Sequence, residues 1–139
     1  MNGAPQRWVG VFAPSLDELD ALAQAGFAAL PEPFRRLCTD LVIKVEDFPE
    51  DEVLEKLNCE SEFDLLGIFR GLGLAQSGAT LMTGQFPNMI WLYRRPILDY
   101  WAAHEEPLDA IITHVLVHEI GHHFGLSDAD MHAIEKAAG

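Results

Sequence analysis

The feature that most constrains this chain is the stretch from His118 to Asp128, which reads HEIGHHFGLSD. It contains the pattern H-E-x-x-H, in which two histidines stand four residues apart and a glutamate follows the first. On an α-helix this spacing places both imidazoles on one face, one turn apart, where they can bind one metal ion. The composition of the chain predicts roughly 0.02 chance matches to this pattern. The stretch therefore predicts a helix that carries a metal site.

Helical geometry assigns roles to three polar side chains of this stretch. At about 100° per residue, His122 lies roughly 40° and Glu119 roughly 100° around the helix from His118. We therefore predict His118 and His122 as zinc ligands, with Glu119 placed to reach a metal-bound water. The opposite side of the helix is apolar, which indicates a buried central helix. Burying polar side chains on such a helix is unfavourable, and binding to a metal ion would offset this cost.

The third metal ligand follows from the end of the helix. A catalytic zinc ion needs three protein ligands and one open position for water. Gly125 can turn the chain back, and Asp128 comes just after this turn, so we predict Asp128 as the third ligand. His132, one helical turn further on, is the alternative, and Asp130 is interpreted as a helix-capping acid.

The remaining histidines and Gly121 also receive predicted roles, and His114 and Gly121 have two readings each. His114, one turn before His118, is either a partner of a metal ligand or a hydrogen-bonded core histidine, and the second reading is favoured. His123 is predicted to be structural, and His104 to lie on the surface. Gly121 costs about 1 kcal/mol in a helix relative to alanine. It either admits a closely approaching backbone or marks a contact between helices.

Apolar periodicity and turn residues divide the chain into an irregular arm over 1–14 and one domain over 15–139. The arm contains a candidate strand at 8–12, and Ser15 with Glu18 predicts a capping box at the first helix. The predicted helices are 16–27, 50–57, 97–103, 107–124 and the residues after 127, with a helical turn within 31–37. The predicted strands are 41–45, 63–70 and 88–94.

Two segments have further predicted roles. The strand that runs from Asn88 to Arg94 is bracketed by Pro87 and Pro96, which favours a position at a sheet edge. The glycine-rich residues 71–85 have no assignable element. A loop of that length inside a compact domain is more often functional or mobile than incidental.

Composition excludes several classes of protein. The chain has 9 basic and 22 acidic residues, a formal net charge of −13, which disfavours binding to nucleic acid. It has no apolar run of about 18 residues, so no membrane span is predicted. Cys38 and Cys59 have no partner spacing, and the start of the chain does not resemble a signal peptide. These features predict a cytoplasmic protein with free thiols.

The stretch HEIGHHFGLSD resembles the zincin metallopeptidase signature H-E-x-x-H-x-x-G-x-x-D. The order of elements from about Ser15 to Lys136 resembles the small bacterial zincin-like proteins called minimal metalloproteases. The matching pieces are LPEPFRRL, LVIKVEDFPE, LLGIFRG, IWLYRRPIL and VHEIGHHFGLSD. The resemblance implies an α+β fold, with a three- to four-stranded mixed sheet packed against the active-site helix. It also implies one zinc ion bound by His118, His122 and Asp128, with Glu119 as the base.

The function predicted from these features is zinc-dependent hydrolysis of peptide bonds. A peptide or protein substrate is expected to pair with the edge of the strand from Asn88 to Arg94. Tyr93 is considered as an oxyanion donor, but the reading as a packing aromatic is favoured.

Two alternatives to a peptidase stay open. The first is a non-catalytic module that binds a metal or a peptide. The chain ends 11 residues after Asp128, without the methionine turn of larger metzincins, and this favours the module. The second is a zincin-like endoribonuclease, which would use a third histidine and a basic surface.

Overall fold

The computed structural model describes residues 4–70 and 88–138 and has an α+β fold. Among these residues, no helix is both long enough and apolar enough to cross a membrane. The helices are α1 (Ala4–Arg7), α2 (Leu16–Ala28), α3 (Glu32–Arg35), α4 (Asp51–Lys56), α5 (Arg94–Ala103), α6 (Leu108–His123) and α7 (Asp128–Ala138). A 3₁₀ turn covers Arg36–Cys38, and the strands are β1 (Val42–Glu46), β2 (Gly67–Arg70) and β3 (Met89–Tyr93). The predicted small mixed sheet beside a central helix is confirmed.

The three strands form one sheet in the order β1-β3-β2. Strand β1 runs parallel to β3, and β2 runs antiparallel to it. The prediction that the strand from Asn88 to Arg94 lies at a sheet edge is therefore wrong, because both of its sides are already paired. Pro96 lies beyond the strand, within α5, where its missing N–H costs the sheet no hydrogen bond.

Helices α2 and α6 pack together, α2 against β1 and α6 against β2 and β3. The apolar side of α6 supplies Ile112, Leu116 and Ile120, which are fully buried. Helix α2 begins with the predicted capping box, in which the Ser15 hydroxyl accepts from Glu18 N–H at 3.1 Å. The predicted buried position of α6 is thus confirmed on the side away from its histidines.

The chain reverses direction between α6 and α7 at Gly125, which has a φ of +77°. Two backbone hydrogen bonds close this turn, from Leu126 N–H to Gly121 C=O at 2.9 Å and from Gly125 N–H to His122 C=O at 3.1 Å. This is the Schellman arrangement, and glycine suits it because a Cβ disfavours positive φ. Both the helix end and the glycine turn are confirmed.

Helix α7 then runs back along α6. Its start is capped by Ser127, whose hydroxyl accepts from Asp130 N–H at 3.1 Å, as the sequence predicted. Further along, Met131 is fully buried against Gly121. A Cβ at Gly121 would lie 2.5 Å from Met131 Sδ, so this glycine marks a contact between helices.

Other predictions need correction or cannot be compared. The candidate strand at 8–12 is wrong, because residues 8–10 form a turn after the short helix α1. Strand β2 begins at Gly67 rather than at 63, since the Asp64 carboxylate accepts from the N–H groups of Glu60 and Ser61 and holds a turn there. The predicted loop over 71–85 lies outside the described residues.

Candidate metal centre

A row of three histidines runs along the side of α6 that the core leaves free. His114, His118 and His122 are spaced four residues apart, so each lies about one turn above the last. The ring centroids of His114 and His118 are 3.9 Å apart, and those of His118 and His122 are 5.7 Å apart and nearly perpendicular. His118 is partly buried, while His114 and His122 are exposed. The row therefore contains two histidine pairs that share His118.

Glu135 of α7 contacts the first of these pairs. His114 Nδ1 lies 2.9 Å from Glu135 Oε1, and His118 Nε2 lies 3.2 Å from Glu135 Oε2. An ionised carboxylate only accepts hydrogen bonds, so these contacts are hydrogen bonds in the tautomers that carry the proton on His114 Nδ1 and on His118 Nε2. One ligand atom from each residue lies within 4.8 Å of the other two. Among the residues that the structure describes, this is the one group of three such side chains that could enclose a metal ion.

The predicted ligands His118, His122 and Asp128 do not come together in the same way. Asp128 is the first residue of α7 and is exposed, as is His122. Within the described part of the chain, their ligand atoms do not form a group in which all lie within 4.8 Å. Two imidazoles and one carboxylate are nevertheless a donor set that zinc accepts in catalytic sites. The chemistry of the predicted set therefore fits zinc, while the side chain of His118 faces Glu135.

The alternative third ligand, His132, is exposed on α7. It belongs to no potential metal-binding group among the described residues.

Glu119 lies beside the histidine row and is half-buried. Burial raises the pKa of this carboxyl above its ordinary value, although His122 nearby acts in the opposite direction. Within residues 4–70 and 88–138, no side chain hydrogen-bonds to the Glu119 carboxylate. A carboxylate with a raised pKa is the kind of group that acts as a general base near neutral pH.

The environment of His118 also suits a ligand. Burial and the neighbouring His114 lower the pKa of the His118 imidazole, and Glu135 opposes this shift. The net direction favours the neutral imidazole, which is the form that binds metals.

Within the described part of the chain, His123, His104 and Tyr93 do not belong to the group of potential metal ligands. His123 packs edge-on against Phe69, with ring centroids 4.7 Å apart, which agrees with a structural role. The ring of the exposed His104 stacks on Tyr100 at 3.8 Å. Tyr93 is buried in β3, and burial raises the pKa of its phenol to about 12. The charge of Glu46 raises this pKa further, which makes the phenol a weaker proton donor. The reading of Tyr93 as a packing aromatic is therefore favoured.

The sequence does not single out Glu135, and it favours a core position for His114. His114 is hydrogen-bonded, as predicted, but its side chain is exposed rather than buried in the core. The missed signal was periodicity. Glu135 stands seven residues after Asp128, or two helical turns, and so shares its side of α7.

The sequence model of the zincin-like metallopeptidase family matches residues 38–138. This span covers the whole sheet, α4 to α7 and the entire histidine row. The chain therefore belongs to the zincin-like metallopeptidase family. No curated protein matches the chain significantly. Membership in this family implies a metal-dependent hydrolase, with zinc as the usual metal.

Proposed function

We propose that this protein is a zinc-dependent metallopeptidase that hydrolyses peptide bonds with a metal-activated water. The observation that carries the proposal is Glu119, a half-buried carboxylate with a raised pKa, on the same helix as His118 and His122. Family membership supports the same reaction class. A helix that combines two histidines with such a carboxylate has the parts that this chemistry requires.

The residues that would hold the zinc ion are His118, His122 and Asp128. Zinc, when bound, supplies a water with a pKa of about 7 and polarises the scissile carbonyl. The exposure of His122 and Asp128 leaves this side of the helix open to substrate. His118 must turn from Glu135 to join this set through Nε2, because that nitrogen now donates to the carboxylate.

Glu119 would accept a proton from the attacking water and deliver it to the leaving amine. Its burial matters for this role, because a raised pKa brings the proton affinity of the carboxylate closer to that of the attacking water and the leaving amine, between which it would carry the proton. The substrate in this proposal is a peptide or protein. It does not pair with the strand from Asn88 to Arg94, since β1 and β2 occupy both sides of β3.

The test compares Glu119→Gln with the wild-type protein on a peptide library. The amide keeps the shape of the side chain but cannot act as a base, so we expect kcat/KM to fall by roughly 10²- to 10⁴-fold. Zinc content should stay at the wild-type level, because Glu119 is not a proposed ligand. The exposed Glu62 provides the matched control, and Glu62→Gln should leave hydrolysis unchanged. Cleavage that survives Glu119→Gln at the wild-type rate would contradict the mechanism.

One observation favours a second candidate function, a non-catalytic metal-binding module. Glu135 already meets two histidines of the row, so a metal held there would have ligands without the participation of Glu119. Such a protein would bind zinc and lose thermal stability on chelation, yet cleave no member of the peptide library. The same library assay, run on the zinc-loaded wild-type protein, separates the two functions.

A further inference from the structure

Helix α6 carries two histidine pairs with the same four-residue spacing, and only one of them belongs to the H-E-x-x-H pattern. We propose that the other pair, His114 and His118, binds a divalent metal ion together with Glu135 of α7. This position is distinct from the set His118, His122 and Asp128, with which it shares only His118. It goes beyond the proposed peptidase mechanism, which assigns no role to His114 or Glu135.

The distances within the group are close to those that a bound ion requires. A tetrahedral ion with bonds of about 2.0 to 2.1 Å holds its ligand atoms roughly 3.3 Å apart. Glu135 Oε1 lies 2.9 Å from His114 Nδ1, and the other oxygen of the same carboxylate, Oε2, lies 3.2 Å from His118 Nε2. The whole group fits within 4.8 Å. Small rotations of these three side chains are therefore enough to admit an ion.

The hydrogen bonds of the group show which atoms the ion would contact. His114 Nδ1 and His118 Nε2 both face the same carboxylate, to which they donate in the tautomers that carry the proton on these two nitrogens. A metal ion would take the place of these two protons. The single proton of each neutral imidazole would then move to the other ring nitrogen, which leaves the nitrogen that faces Glu135 free to bind the ion.

The position of Glu135 is fixed by packing that does not depend on a metal. Met131, one helical turn earlier, is fully buried against Gly121, and this contact seats α7 on α6. Ligands held by rigid elements lose little freedom on binding, which favours affinity. The side chains of His114, His118 and Glu135 are 55%, 25% and 24% exposed, so an ion can enter and keep water in its remaining positions.

A purely structural contact between Glu135 and the histidines makes the opposite prediction. If Glu135 only competed with a metal for His118, its removal would strengthen metal binding. If Glu135 is a ligand, its removal weakens binding. The sign of the change in affinity therefore decides between the two.

The decisive experiment uses the full chain with His122 and Asp128 replaced, the two ligands that the proposed catalytic site does not share with the new position. His122 and Asp128 are exposed, so the double variant His122→Asn/Asp128→Asn should keep the fold, which thermal unfolding verifies. We expect it to bind one Zn²⁺ ion, measured by competition with a chromophoric chelator. Co²⁺ should bind at the same position, which its absorption spectrum reports. Adding Glu135→Gln or His114→Asn to this background should lower zinc affinity by at least roughly tenfold. His132→Asn, at an exposed histidine of α7, is the matched control and should change nothing.

Two results would overturn the proposal. One is a folded double variant that binds no zinc, and the other is an unchanged or higher affinity after Glu135→Gln in that background. If the double variant fails to fold, the single variant His122→Asn serves as the background, and the same two results apply. Hydrolysis by the wild-type protein and by Glu119→Gln is measured separately. Failure of this metal position is therefore distinguishable from failure of the peptidase.

Discussion

The two histidine pairs of α6 have the same spacing but different surroundings. His114 and His118 have ring centroids 3.9 Å apart and share the carboxylate of Glu135. His118 and His122 have centroids 5.7 Å apart, and Asp128, the acid expected to complete their set, is exposed at the start of α7. Although the helical spacing is identical, the pair of His114 and His118 already contacts a carboxylate, whereas the pair of His118 and His122 is open toward solvent.

The difference arises from how α7 lies on α6. Asp128 and Glu135 share one side of α7, two turns apart, and either carboxylate is suitable as a zinc ligand. Which of them meets the histidines depends on the reversal at Gly125 and on the buried contact between Met131 and Gly121. Spacing on one helix thus selects the pairs, while packing of the next helix selects the third ligand.

The largest expected effect comes from removing the contact that seats α7. Met131 is fully buried, so Met131→Ala should leave a cavity and lower the free energy of unfolding by about 2 to 5 kcal/mol. Denaturant unfolding measures the change. Met131→Leu keeps most of the volume, and its cost should stay below about 1.5 kcal/mol. Equal stabilities of the alanine and leucine variants would mean that this contact does not hold the two helices together.

The next effect tests the residue that both metal sets share. His118→Asn removes a ligand from either set, so zinc affinity should fall by at least roughly 100-fold, about 2.7 kcal/mol. Chelator competition measures this directly. His132→Asn should bind zinc as the wild type does, because the exposed His132 belongs to neither set. Wild-type affinity in the His118 variant would remove both metal positions from consideration.

Local features of the chain were predictable from sequence because each depends on residues close in the chain. The capping residues Ser15 and Ser127, the left-handed Gly125 and the buried side of α6 all follow from side-chain chemistry and helical period. The family resemblance added the packing of a small mixed sheet against the central helix. These elements are confirmed, and they place His118, Glu119 and His122 on one helix.

Features that depend on distant parts of the chain were not predictable in the same way. The central position of β3 arises from pairing with β1 and β2, which no residue within β3 encodes. Likewise, the contact of Glu135 with His114 joins residues 21 positions apart and requires α7 to fold back onto α6. Periodicity places Glu135 on the correct side of α7 but does not give the position of that helix along α6.

The smallest effect separates the two ends of α7. Ser127 caps the first turn of the helix, where Asp128 lies, so Ser127→Ala should lower the free energy of unfolding by about 1 kcal/mol. Ser15 makes the same contact at α2, also at 3.1 Å, and Ser15→Ala is the matched control with a similar loss.

Fraying of the first turn should disturb Asp128 more than Glu135, which lies two turns further along. Zinc binding by the set of His114, His118 and Glu135 should therefore survive Ser127→Ala, measured in the His122→Asn background. A loss of zinc affinity in that variant, but not in Ser15→Ala, would show that the metal depends on the start of α7 and would favour Asp128 over Glu135.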